Sequence, residues 1–193
     1  MPIDAETPAD AEIIRQVVDG DVNAFERLLQ RYQRHVAKIV SKHVPYDQVE
    51  EIAHEVFVRA YQSLPTFQQK SPFKSWLSSI AVRTCYDFWR KQYRSKELPL
   101  SSLSEQQQYW LEQSISEMSN RSYAEQGGLQ EAREILEWAL SKLSAEDRMV
   151  VELVYLEGVS GKEAARLLGW SVANVKIRSF RARKKLQTIL VKE

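Results

Sequence analysis

Apolar residues recur every three or four positions along two long segments of this 193-residue chain, and the spacing lapses across one central stretch. A 3.6-residue period puts such side chains on one helical face, whereas a half-buried strand needs strict alternation. Six glycines and six prolines are too few for a turn-rich β-sandwich, and 44% apolar residues exclude a disordered chain. The predicted fold is all-α: two helical domains joined by a flexible linker, the second carrying a helix-turn-helix.

The first segment reads as four helices. Thr7 and Pro8 read as an N-cap and first helical position, Ile13, Ile14, Val17 and Val18 form the stripe, and Gly20 stops it. Asp21 caps a longer helix striped with Phe25, Leu28, Leu29, Tyr32, Val36, Ile39 and Val40. Asp47 with Glu50 predicts a capping box for a third helix, which Pro65 closes. Pro72 opens a fourth, with Phe73, Trp76, Leu77, Ile80, Thr84 and Phe88 inward. One domain, residues 8–95, is expected to bury these stripes together.

Between Lys96 and Glu131 stand six acidic and two basic residues, with a Gln106-Gln107-Gln108 run and Gly127-Gly128. Such a polar, net negative stretch predicts a mostly extended linker over 96–129, with a short helix around Tyr109–Met118. An ordinary surface loop inside one domain is rarely this long.

Residues 130–193 return to helical spacing. Ser144 begins a helix that Gly158 stops, Ser160 and Glu163 form a capping box, and Gly169-Trp170-Ser171 makes a tight turn before a last helix capped by Ser171. Short helix, glycine-containing turn and longer helix are the pattern of a helix-turn-helix.

The whole chain carries a net charge of only +1, but its last 23 residues hold seven bases against Glu193 alone. At about 100° per residue, Val172, Val175, Ala182, Leu186 and Ile189 share the packed face. Ala173, Ile177, Phe180, Arg181 and Lys184 point away from it. Exposed apolar side chains among bases suit a DNA major groove, where Arg meets guanine and apolar groups meet thymine methyls. A basic helix that docks on a protein is the competing reading.

On the fourth helix, Trp76, Ser79, Arg83, Tyr86 and Arg90 are spaced three and four apart, forming a ridge beside the buried stripe. Interleaved rings and cations suit unpaired nucleic acid, since bases stack and phosphates pair. Trp76 reads equally well as a core residue over which the bases snorkel.

Other signals exclude chemistry. The lone Cys85 allows no disulfide framework and reads as ordinary packing, and His35, His43 and His54 lack metal-ligand spacing. No nucleophile, carboxylate cluster or phosphate loop suggests catalysis, and no cofactor is expected. No apolar run reaches the roughly 20 residues of a membrane span, and the acidic opening lacks the features of a signal peptide. A soluble cytoplasmic protein is predicted.

Specific blocks then carry a resemblance. VVDGDVNAFERLLQRYQRHV, EEIAHEVFVRAYQSL and F-x5-F-x2-WLSSIAVRTCYDFWRK resemble domain 2 of bacterial extracytoplasmic-function (ECF) sigma factors of the sigma-E type. LSKLSAEDRMVVELVYLEGVSGKEAARLLGWSVANVKIRSFRARKKL resembles domain 4. Together they cover about residues 12–95 and 130–190, in order. The resemblance implies a non-catalytic subunit that binds core RNA polymerase and directs it to promoter DNA. It implies that domain 2 (8–95) grips the polymerase clamp and melts the −10 element, and that domain 4 (130–193) reads the −35 element. The linker would thread the polymerase toward the RNA path, and an anti-sigma protein, often membrane-linked, would hold the chain in check.

By position, Glu51, His54 and Glu55 match the clamp-binding D-x-x-Q-E of the family, with Glu for Asp and His for Gln. Phe67 to Pro72 matches the loop that accepts a flipped −10 base, here with the sequence QQKSP. The −10 surface implied by ridge and resemblance comprises Phe67, Lys70, Phe73, Trp76, Ser79, Arg83, Tyr86 and Arg90. The −35 surface comprises Ser171, Asn174, Lys176, Ile177, Arg178, Phe180, Arg181 and Lys184. A polymerase-independent regulator is the alternative; it explains the helix-turn-helix but leaves the Trp76 ridge and the Glu51/Glu55 face without a task.

Overall fold

The computed structural model describes residues 9–96 and 127–191. The Thr7–Pro8 cap, most of the linker with its Tyr109–Met118 helix, and Lys192 and Glu193 lie outside the described residues. Among the described residues there are helices and no strand. They are α1 (Asp10–Val18), α2 (Ala24–His43), α3 (Val49–Ser63), α4 (Phe73–Lys96), α5 (Gly127–Ser141), α6 (Ala145–Val151), α7 (Gly161–Leu168) and α8 (Val172–Val191). A turn of π-helix, Glu152–Leu156, extends α6.

Two compact units emerge, and neither is one contiguous half of the chain. The first comprises residues up to Phe88 with Ser160–Asn174; the second comprises Trp89–Val159 with Val175 onward.

In the first unit, Ile13, Leu28, Val36, Val40, Val56, Leu64 and Leu77 are fully buried, so the stripes of α1 to α4 share one core. Gly20 ends α1 at φ +111°, a conformation costly for any residue with a Cβ. The Asp21 carboxylate accepts from the Ala24 N–H at 3.3 Å, but the N-cap position of α2 itself falls to Asn23, two residues later than expected. The expected Asp47/Glu50 capping box does not form. The Pro45 carbonyl accepts from Gln48 N–H and winds a 3-10 turn, Tyr46–Gln48, that runs directly into α3. Asp47 thus lies inside that turn, and Gln48, at the N-cap position of α3, is not extended and makes no side-chain cap bond. The Pro72 carbonyl accepts from Ser75 and Trp76 and so starts α4. Cys85 is wholly buried.

Both serine caps of the helix-turn-helix form, but of the Ser160/Glu163 capping box only the serine half does, because the Glu163 carboxylate is taken by Arg166. Ser160 Oγ accepts from Glu163 N–H at 3.2 Å, and Ser171 Oγ accepts from Asn174 N–H at 3.1 Å. Between them Gly169 ends α7 in the left-handed conformation, φ +74°.

The second unit is built on Leu140, Leu143, Val151 and Ala182, with Leu136 and Leu186 against them. Ser144 caps α6 through Asp147 N–H. Beside this cluster Arg148 is 4% exposed; it donates to Glu152 at 2.7 Å and Glu137 at 2.8 Å, and lies 3.7 Å from the Trp89 ring centroid. Two carboxylates and a π-face offset the desolvation of that one guanidinium.

Candidate nucleic-acid interface

Helix α8 presents the face that its periodicity predicts. Val175, Ser179 and Ala182 are buried, while Ala173, Lys176, Arg181 and Lys184 are exposed. Ile177 and Phe180 are 52% and 62% exposed, flanked by those bases. Burial of two such side chains stabilises a complex by about 25 cal/mol per Å² of apolar surface, so the face favours an apolar-tolerant partner. One expectation needs correction. Val172 is exposed rather than packed, because it stands in the first turn, ahead of the segment that docks on the Leu140 cluster. Arg178 is half-buried and paired with Asp147 of α6 at 3.1 Å. Ser171 caps α8 by accepting from Asn174 N–H, and Asn174 is half-buried.

The α4 ridge divides into two parts. At its N-terminal end Phe67, Phe73 and Trp76 form a cluster, with ring centroids 4.6 Å apart for Phe67–Trp76 and 5.4 Å for Phe73–Trp76. Phe73 is 4% exposed and belongs to the core; Trp76 and Phe67 are half-buried and offer ring area. Trp76 is thus neither a fully buried core residue nor a fully open one. The adjoining loop turns through Gln69 at φ +54° and, with α1, borders an open cavity of about 400 Å³. Lys70 lines that cavity and is exposed.

The second part of the ridge is engaged. Ser79 is buried, donating to the Ser75 carbonyl and accepting from Arg166 at 3.2 Å. Arg83 Nε donates to the Leu167 carbonyl at 3.1 Å, and Tyr86 meets Trp170 edge to face at 5.7 Å. A Cβ on Gly169 would stand 2.9 Å from the Arg83 guanidinium, the flexible end of a side chain that can shift, so it is the left-handed φ that favours glycine there. Arg166 also grips Glu163, holding that carboxyl below the usual range. Arg90, further along α4, is exposed.

On α3 the acidic face takes the predicted form. Glu51 and His54 are exposed, and Glu55 is half-exposed and accepts from Arg59 at 2.7 Å. Arg59 donates in turn to Asp87 of α4 at 2.6 Å, which braces the face from behind.

Sequence reasoning missed three contributors: Asp10 with Arg31 and Tyr32 at the cavity, Arg166 and Trp170 against the α4 ridge, and the Arg59–Asp87 brace. Their partners lie 21 to 91 residues apart, and no local pattern signals such pairs.

Comparison with known proteins supplies the context. The family model for sigma-70 region 2 matches residues 28–95, and that for sigma-70 region 4 matches residues 133–186. The chain is 32% identical to the ECF RNA polymerase sigma-E factor of Escherichia coli strain K12, over 93% of each chain. Against the ECF RNA polymerase sigma-E factor of Haemophilus influenzae it is 26% identical, over 95% of this chain and 96% of that one. Among solved structures it is similar to CnrH in complex with the cytosolic domain of CnrY, with TM-score 0.54 and 27% identity over 96% of this chain and 99% of that one.

Proposed function

The chain belongs to the ECF group of bacterial RNA polymerase sigma factors, and on that premise we propose how its surfaces divide the work of promoter-specific initiation. It binds core RNA polymerase and directs it to promoters. The exposed Ile177 and Phe180 among the bases of α8 carry the assignment of that face to the −35 element, since a merely solvated helix gains nothing from them. Arg181 reads a guanine edge, Ile177 and Phe180 meet thymine methyls, and Lys176 and Lys184 neutralise phosphates. The free N–H groups behind the Ser171 cap add a phosphate site beside Asn174, and Arg178 reaches the backbone from the flank.

The −10 element falls to α4 and its leading loop. Trp76 and Phe67 supply stacking area, Lys70, Arg83 and Arg90 supply cations, and the cavity beside Lys70 holds one unpaired base. Phe73 supports these rings from the core, and Ser79 and Tyr86 complete the ridge. Glu51, His54 and Glu55 face the polymerase clamp, where complementary charge fixes register.

By function, residues 8–95 act as domain 2, 130–193 as domain 4, and the net negative 96–129 as the connector along the RNA path. Initiation through this chain is regulatory binding without a catalytic step of its own, carried out in the cytoplasm. Its partners are core polymerase, duplex and melted promoter DNA, and a membrane-linked anti-sigma protein; the likeness to CnrH, solved with the cytosolic domain of CnrY, supports the last.

The test is reconstitution: the full chain is added to sigma-free core polymerase with a promoter library. Specific transcripts are expected. Duplex binding with no association with polymerase would contradict the proposal.

A further inference from the structure

Helix α1 precedes the segment matched by the region 2 family model, which begins at residue 28, yet its first turn forms one wall of the cavity at the α3–α4 loop. Asp10, Ala11 and Ile14 line it together with Phe67, Gln69 and Lys70. The Asp10 side chain is a quarter exposed, so its carboxylate borders the cavity instead of being sealed in the core.

Two donors from α2 hold that carboxylate in place: the Arg31 guanidinium on Oδ1 and the Tyr32 hydroxyl on Oδ2. Tyr32 is itself fixed against Phe73, ring centroids 5.3 Å apart. Burial, then the bond and charge of Asp10, push the Tyr32 phenol up to about 12, so it remains a donor at any physiological pH. A carboxylate has about four acceptor positions and no proton to give. Arg31 and Tyr32 take two of them, and Asp10 is partly exposed and lines the cavity.

We propose that Asp10 is a specificity-determining residue for the unpaired −10 base: it accepts a hydrogen bond from an exocyclic amino group and so disfavours thymine. The inference rests on the cavity being the −10 base site, as read above. Cytosine, adenine and guanine each present an amino donor. Thymine instead flanks its one ring N–H with two carbonyl oxygens, which oppose a fixed carboxylate. Lys70, on the same cavity lining, supplies a donor for the ring acceptor that neighbours the amino group in cytosine or adenine.

The test uses holoenzyme assembled from the full chain and core polymerase, on promoters carrying each of the four bases at every −10 position in turn. Open-complex formation is measured. At one position amino-bearing bases are expected to exceed thymine about tenfold, the scale of one hydrogen bond to a charged acceptor. Asp10→Asn, whose amide can turn a donor toward a thymine carbonyl, should narrow that gap severalfold and leave other positions unchanged. Tyr32→Phe retains the carboxylate and should keep the preference, which separates base selection from loosening of α1. An Asp10→Asn loss equal over all four bases, or an unchanged preference, would overturn the proposal. Wild-type holoenzyme indifferent to every −10 base would instead remove the assignment of the cavity, and the proposal with it.

Discussion

Arg83 Nε donates to the backbone carbonyl of Leu167 at 3.1 Å, so a cation from α4 caps the C-terminal end of α7. The last carbonyls of a helix carry partial negative charge and attract cations. Trp170 stands on Tyr86 one turn further on. Under the function proposed for the α4 ridge, a bound single strand would compete with these two contacts for Arg83 and Tyr86.

Relieving that contact should therefore expose the ridge. In the full chain without polymerase, Arg166→Ala and Trp170→Ala should each tighten binding of a single-stranded −10 oligonucleotide, by roughly fivefold for about 1 kcal/mol of lost competing contact. Fluorescence anisotropy gives the affinities, with circular dichroism confirming the helices. Unaltered affinity in both variants would mean that α7 does not compete with the strand.

A second prediction concerns pH. Ser78 Oγ donates to the Lys74 carbonyl at 2.8 Å, so His35 Nε2, 2.9 Å away, must be the donor in their bond. Burial, then Lys74 and Lys38, hold the His35 imidazole below its ordinary value of 6.5. The unfolded chain thus binds a proton before the native one does, and stability that is complete above pH 6.5 is lost as pH falls through the native value. NMR titration should place His35 below 6.5, and Lys74→Gln should raise it. A native value above 6.5 would contradict this.

Much of the fold was legible because helix ends and stripes are local. Ser144, Ser160, Gly169 and Ser171 each signal a terminus through the residues beside them, and the open face of α8 follows from periodicity alone. Asp47 misled because a 3-10 turn begun by the Pro45 carbonyl overrode its capping pattern. The pairing of Arg178 with Asp147, 31 residues along the chain, leaves no trace in spacing. Phe73 looked inward by period and was also counted with the −10 surface; the structure buries it. Asp10 was passed over for the same reason as Asp147: its partners arrive only with the tertiary fold.

The buried charge network yields a stability prediction. Arg148 and Glu152 are nearly sealed from solvent. Arg148→Ala strands the Glu152 carboxylate and should cost about 3–5 kcal/mol. Arg148→Met with Glu152→Leu should recover most of that, since apolar residues of similar volume leave no charge unpaired. Urea denaturation distinguishes them; equal losses in the single and double variants would show that packing against Trp89, not charge, dominates.

Charge reversal at Glu51 and Glu55 should weaken assembly with core polymerase and spare the fold. Glu51 is exposed and Glu55 is half-exposed, bonded only at the surface to Arg59. Glu51→Lys with Glu55→Lys would present like charge to a cationic clamp. Pull-down with core polymerase reads the effect, and unchanged assembly would remove both residues from the interface.

Base reading by α8 is the most direct test of the account. Arg181 lies on the exposed face beyond Ile177, whereas Lys185 stands toward the flank. A bidentate arginine–guanine contact is worth roughly 1–3 kcal/mol of discrimination, and a phosphate contact contributes affinity alone, adding about one unit to the salt slope. Holoenzyme binding should be measured on −35 elements with every single-base substitution, at two salt concentrations, for the wild type, Arg181→Ala and Lys185→Ala. Arg181→Ala is predicted to flatten the preference at one or two base pairs, and Lys185→Ala to weaken all promoters about equally with a shallower salt slope. A uniform loss of affinity across the panel in Arg181→Ala would contradict the assignment of that face to the bases.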